Sequence, residues 1–149
     1  MENNERKKRL ELLLERQKVN QKPEYGPLFE ECIEALGDEV IVYSDSKSKE
    51  FYDLFQQQIP FTKWSRIDWS KINKYKTIHN LKEVTDILYQ ENIEVYWSYG
   101  NSPVLKTKFV NIIGAFEELV AVSSDTFLYV PKKYVIEVYH EGEITLGYL

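Results

Sequence analysis

Residues 126–149 read TFLYVPKKYVIEVYHEGEITLGYL, and this closing stretch decides the fold class. Thr126–Val130, Tyr134–His140 and Glu143–Leu149 are short runs rich in β-branched and aromatic residues, separated by turn formers, as strands of one sheet are. His140-Glu141-Gly142-Glu143 reads as a tight hairpin turn, because Gly142 accepts a positive φ that a Cβ would resist. Ile144, Leu146 and Tyr148 alternate with Thr145, Gly147 and Leu149, which gives the last strand two distinct faces. Consecutive hairpins pair antiparallel, since parallel strands need a long crossover.

Upstream of this sheet the dominant period is helical. Pro27 stands where a first-turn proline is tolerated, Leu28, Phe29, Cys32, Ile33 and Leu36 recur at helical spacing, and Gly37 supplies the stop. Glu39–Tyr43 (EVIVY) predicts a buried strand. Ser44-Asp45-Ser46 caps a predicted helix running through Gln57, with Phe51, Leu54 and Phe55 inward and Pro60 closing it. Residues 61–72 are irregular. Lys74–His79 predicts a short strand, Asn80 caps a helix over Leu81–Gln90, and Ile93–Tyr99 is a strong strand ended by Gly100, Asn101 and Pro103. An extended piece at Val104–Lys106, a helix through Leu119 built on Phe109, Ile112, Ile113 and Phe116, and a strand at Val120–Ser123 complete the order. Helices first and hairpins last predict an α+β fold, a mainly antiparallel sheet with helices packed on one face.

The N-terminus differs in kind. Residues 2–19 read as an amphipathic helix with a narrow stripe of Leu10, Leu13 and Leu14 among charges, ended before Pro23. Residues 1–23 carry seven Lys/Arg against four Asp/Glu, so the remainder of a chain whose total charge is −5 stands at −8. The expected organisation is a basic helical extension over 1–23 and a single α+β domain over 24–149. An acidic body disfavours direct nucleic-acid binding and steers basic proteins toward itself. A charged N-terminus without an apolar core is no secretory signal, and no apolar run approaches the ~18 residues of a membrane span, which points to the cytoplasm. The single cysteine, Cys32, excludes an intrachain disulfide and reads as a small core hydrophobe.

The chemistry-bearing motifs are sparse. Six glycines in 149 residues form neither a Gly-x-Gly-x-x-Gly nor a Walker-type loop, and His79 and His140 lack a ligand partner at i+3 or i+4. No cofactor or metal is therefore expected. Glu137, His140, Glu141 and Glu143 gather around the final hairpin, but period two sends Glu137 and His140 to opposite faces, and no nucleophile is paired with a base. The chain reads as a binding protein and not an enzyme. Trp64-Ser65-Arg66-Ile67-Asp68-Trp69 is a different signal: two tryptophans, an arginine and an aspartate within six residues match the composition of interface hot spots. The same indoles would equally plug a core, and one inside with the other outside satisfies both readings. Trp64, Asp68 and Trp69, with Glu141 and Glu143 at the hairpin, are the candidate partner-binding residues.

WSRIDW (64–69), YWSYGNSPVLKT (96–107) and SSDTFLYV…YVIEVYHEGEITLGY (123–130 and 134–148) together resemble the immunity proteins of contact-dependent growth inhibition and related polymorphic toxin systems. The resemblance spans about residues 38–149, is most specific in the closing motif, and leaves residues 1–23 unmatched. It implies a protein that binds a cognate toxin domain and blocks its active site or substrate access. It also implies a basic nuclease as the partner. The alternative is a non-enzymatic adaptor or scaffold that binds a peptide or self-associates through an open sheet edge.

Overall fold

A computed structural model describes residues 8–9, 25–98 and 102–149. Apart from Lys8 and Arg9, which are helical, the helix expected over 2–19 lies outside the described residues, as do Tyr99, Gly100 and Asn101. The described elements in chain order are α1 (Pro27–Leu36), β1 (Ile41–Val42), α2 (Asp45–Gln58), β2 (Lys74–Ile78), α3 (Thr85–Leu88), β3 (Asn92–Trp97), β4 (Leu105–Lys108), α4 (Phe109–Gly114), α5 (Phe116–Val120), β5 (Thr126–Val130), β6 (Tyr134–Val138) and β7 (Ile144–Tyr148). One seven-stranded sheet runs β1-β4-β3-β5-β6-β7-β2, with every neighbouring pair antiparallel. The α+β reading holds, with helices mostly in the N-terminal half and strands in the C-terminal half.

The final hairpin forms as its residues require. Tyr139 N–H donates to Glu143 O at 2.9 Å, Gly142 N–H donates back to Tyr139 O at 2.9 Å, and Gly142 takes φ +94°. Capping is equally local. Pro27 opens α1, and Gly37 N–H closes it onto Ile33 O; Ser44 Oγ accepts from Lys47 N–H at the start of α2.

The helices lie on both faces of the sheet, which corrects the one-face expectation. On one face α1, α3, α4 and α5 bury Phe29, Cys32, Leu36, Leu88, Phe109, Ile112 and Leu119 against Ile93, Val95, Trp97, Leu128, Ile136 and Leu146. Trp97 is the pin of this layer, edge-on to Phe29 and donating its indole N–H to Leu119 O at 3.0 Å. On the other face α2 and the 59–72 segment pack Tyr52, Phe55, Ile59, Ile67 and Ile72 on Tyr96, Phe127, Tyr129 and Val135. Phe55 stacks on Tyr96 at 4.2 Å and 10°. Period two explains the division: Val95 and Trp97 face one layer while Tyr96 faces the other, so β3 is buried on both sides, and its buried Glu94 accepts from the Tyr96 hydroxyl at 2.8 Å.

Other departures have local causes. EVIVY is an outer edge strand of two residues, exposed at Ile41 and Val42, because among the described residues β4 is its only neighbour. In α2 the inward residues are Tyr52 and Phe55 while Leu54 is exposed, since Tyr52 reaches Ser102 O with its hydroxyl and fills the place beside Tyr96. Leu81–Val84 is a tight 3-10 turn leading into α3, where Glu83 accepts from Asn80 N–H at 2.8 Å. The helix expected through Leu119 breaks at buried Ala115 into α4 and α5, and Val120–Ser123 is helix end and turn, with Ser123 hydrogen-bonded to Ser98 at 2.9 Å.

Two expected outcomes follow from this packing. Gly147 runs beneath Trp69: a Cβ there would stand 2.7 Å from Trp69 Cζ3 and 3.2 Å from Val135 Cγ1. Gly147→Ala should therefore cost about 1–3 kcal/mol by overpacking, read as a lowered denaturation midpoint at unchanged m-value. The second concerns alkali. Burial, with Glu118 adding to it, pushes the Cys32 thiol from 9.0 up to about 12. Burial likewise lifts the Tyr52 hydroxyl from 10.0 to about 12, against a smaller opposing pull from the Trp97 N–H. Both groups keep protons in the folded state that the unfolded chain releases. Their contribution is complete below pH 9 and is lost as pH rises toward 12. Denaturant midpoints should hold steady to pH 9 and then fall, with Cys32 unreactive to thiol reagents until the chain opens.

Candidate functional site

The segment 61–72 folds into a small stiff loop on the α2 side of the sheet. Phe61 and Ile67 form an isolated antiparallel bridge, Thr62 N–H donates to Arg66 O at 2.7 Å, and Thr62 Oγ1 accepts from both Trp64 N–H and Arg66 N–H. Closing so short a loop places Ser65 at φ +64°. Asp68 then caps a 3-10 turn over Trp69–Lys71, accepting from Ser70 N–H at 3.3 Å and Ser70 Oγ–H at 2.5 Å.

What holds this loop down is Glu137, a carboxylate only 1% exposed in the middle of β6. It accepts from Arg66 Nη2 at 2.7 Å, from Ile67 N–H at 2.8 Å and from the Trp69 indole N–H at 3.3 Å. A buried charge persists only when it is paired and hydrogen-bonded, and these three donors meet that condition. Arg66 also lies over the Tyr139 ring at 3.8 Å and 3.7 Å from Glu143. Burial alone would lower the guanidinium's pKa, but the hydrogen bond and charge of Glu137, followed by Glu143, outweigh it and raise it. The loop and the final hairpin are thereby one body.

The structure separates the two tryptophans. Trp64 is 76% exposed, with only the Lys63 ammonium over its ring at 5.0 Å. Trp69 is half-buried between Gly147 and Tyr75. Asp68 is half-buried as a cap and lies 3.8 Å from Lys71, whereas Glu141 and Glu143 are exposed at the hairpin. Glu143 joins the loop through Arg66. The anchoring role of Glu137 was invisible from spacing, because its partners lie about 70 residues away in the chain.

The catalytic alternative does not assemble. Glu137 is taken up by its three donors, and His140 turns away to pair with Asp125, which accepts its backbone N–H at 2.9 Å and lies 3.1 Å from its Nδ1. Among the described residues no three His, Cys, Asp or Glu side chains are grouped to hold a metal ion, and no helix is long and apolar enough to cross a membrane.

The sequence model of the family described as CdiI immunity protein EcoliA0-like matches residues 26–147. The chain belongs to that family. The match takes in α1 as well as the sheet, so it reaches further toward the N-terminus than the motifs above. A CdiI immunity protein is a non-enzymatic toxin inhibitor, and membership implies neutralisation of a cognate contact-dependent-inhibition toxin domain. No curated protein matches the chain.

Proposed function

We propose that this immunity protein acts in the cytoplasm by seating the Trp64 loop and the 139–143 hairpin over the substrate cleft of a basic nuclease toxin, blocking substrate access. The observation that supports this reading is Trp64, three-quarters exposed on a loop clamped from below by a buried carboxylate. A rigid aromatic that loses little freedom on binding is the residue type that concentrates affinity at interfaces.

Charge divides the labour. Within the patch, Lys63, Arg66 and Lys71 offset Asp68, Glu137, Glu141 and Glu143 almost completely. Local mimicry of a phosphate backbone is therefore weak, and the net charge of −8 outside residues 1–23 acts over distance instead. Electrostatic attraction of this kind raises the association rate more than the lifetime of a complex. Asp68 is a poor probe of it, because changing Asp68 also removes a turn cap. Glu141 is exposed and is the cleaner one.

The test is co-purification with the toxin domain encoded beside this gene, with association and dissociation followed at low and high salt. A nanomolar or tighter complex is expected, with an association rate that falls as salt rises while dissociation changes little. Glu141→Lys should slow association several-fold at low salt. Failure to form a complex at micromolar concentrations sinks the reading. The adaptor reading then takes its place, though both sheet edges are guarded against strand addition: β1 is two residues long and β2 presents Lys74 and Lys76.

A further inference from the structure

The tip of the Trp64 loop is held by one residue. Thr62, half-buried at the loop's start, accepts from Trp64 N–H at 3.2 Å and from Arg66 N–H at 3.3 Å with the same Oγ1. Its main chain adds two more bonds: Thr62 N–H donates to Arg66 O at 2.7 Å, and Thr62 O accepts from Ser65 N–H at 3.1 Å. A β-hydroxyl is short enough to stand in for a carbonyl inside so tight a turn. The next two amides go elsewhere, Ile67 N–H to Glu137 and Asp68 N–H to Pro60 O at 2.8 Å. Thr62 thus serves the tip, and Glu137 seats the other half of the loop on the sheet.

Trp64 gets no such support through its own ring. The indole is exposed, and the ammonium over it belongs to Lys63, which is exposed as well. Where the ring points is therefore set by the backbone beneath it. Ser65 shows how closely that backbone is specified, since a serine keeps φ +64° only where its surroundings over-determine it. A loosened tip would spread Trp64 over several directions, and affinity falls by the fraction of molecules left in the competent one. Stability would barely register the change. Residues 63–65 are exposed, so water can take up the freed amides.

We infer that Thr62 is a positioning residue for toxin binding: its hydroxyl oxygen fixes the backbone of the loop tip and so aims Trp64 at the partner. The inference rests on the reading of the Trp64 loop as part of the toxin interface, and adds to it the residue that pre-organises the hot spot.

The experiment uses the full chain, first alone and then with its toxin domain. Thr62→Val keeps the branched shape and removes the acceptor, whereas Thr62→Ser keeps the hydroxyl. In the free protein, amide exchange followed by NMR should be at least about tenfold faster at Trp64 and Arg66 in Thr62→Val and parental in Thr62→Ser, with both variants melting close to the parent. Titration against the toxin domain should show about tenfold weaker binding for Thr62→Val and near-parental binding for Thr62→Ser. In a Trp64→Ala background Thr62→Val should cost nothing further, because coupled residues are non-additive. Unchanged exchange in Thr62→Val overturns the assignment whatever the toxin does. A melt far below the parent makes Thr62 a residue of the fold and overturns it too. Unchanged affinity in Thr62→Val, or a loss that simply adds to that of Trp64→Ala, has the same consequence. Faster exchange in Thr62→Val beside a Trp64→Ala protein that binds as the parent does, or beside no parental complex at all, locates the failure in the interface reading, and the binding role of Thr62 falls with it.

Discussion

Replacing Glu137 by alanine is expected to destabilise the protein by about 3 kcal/mol. The carboxylate is the shared acceptor of Arg66, Ile67 and Trp69, and its loss strands a backbone N–H and an indole N–H in a dry site. Arg66 keeps about a third of its side-chain exposure and the neighbouring Glu143, which holds the cost below that of a fully enclosed ion pair. For a chain of this size about 3 kcal/mol lowers the melting temperature by roughly 10 °C. Glu137→Gln should recover part of it, because an amide oxygen still accepts while its NH2 faces Arg66. Equal losses in both variants would mean that charge alone, and not the acceptor geometry, holds the loop. A melting temperature unmoved by Glu137→Ala would remove the clamp from the description altogether.

The second large effect is on affinity. If Trp64 is the hot spot of the proposed interface, Trp64→Ala should weaken toxin binding by ~2–4 kcal/mol, roughly 30- to 1000-fold in Kd, while stability moves by no more than about 0.5 kcal/mol. Trp69→Ala should behave in the opposite way. Its ring packs over Gly147 and beside Tyr75 and donates to Glu137, so truncation opens a cavity and costs stability first. Calorimetric titration and thermal melts on the two variants give a crossed pattern. Unchanged affinity in Trp64→Ala moves the interface away from this loop.

The strands were legible where local chemistry is sufficient. Gly142 marks the last turn, the alternation of Ile144, Leu146 and Tyr148 marks β7, and the run Ile93–Trp97 marks a strand buried on both sides. What escaped depends on neighbours distant in sequence. Whether Tyr52 or Leu54 points inward is settled by Tyr96 and Ser102, and α2 lies on the second face because Phe127 and Tyr129 offer it aromatic rings there. The candidate site divides in the same manner. Composition singled out the 64–69 loop, but only the position of Glu137 beneath it decides that Trp69 is held and Trp64 is free.

The pairing of β2 with β7 also sets an order of events during translation. Among the described residues, 74–78 pair only with 144–148, and residues 66–69 lack their Glu137 clamp until residue 137 has emerged. A growing chain can complete α1, α2 and the β3–β4 hairpin early, while the Trp64 loop waits for the last strands. High contact order of this kind slows folding, so newly made copies pass through an interval in which the body is collapsed and the Trp64 loop is unbraced. Protection of a cell would then track the stock of finished protein more closely than the rate of its synthesis.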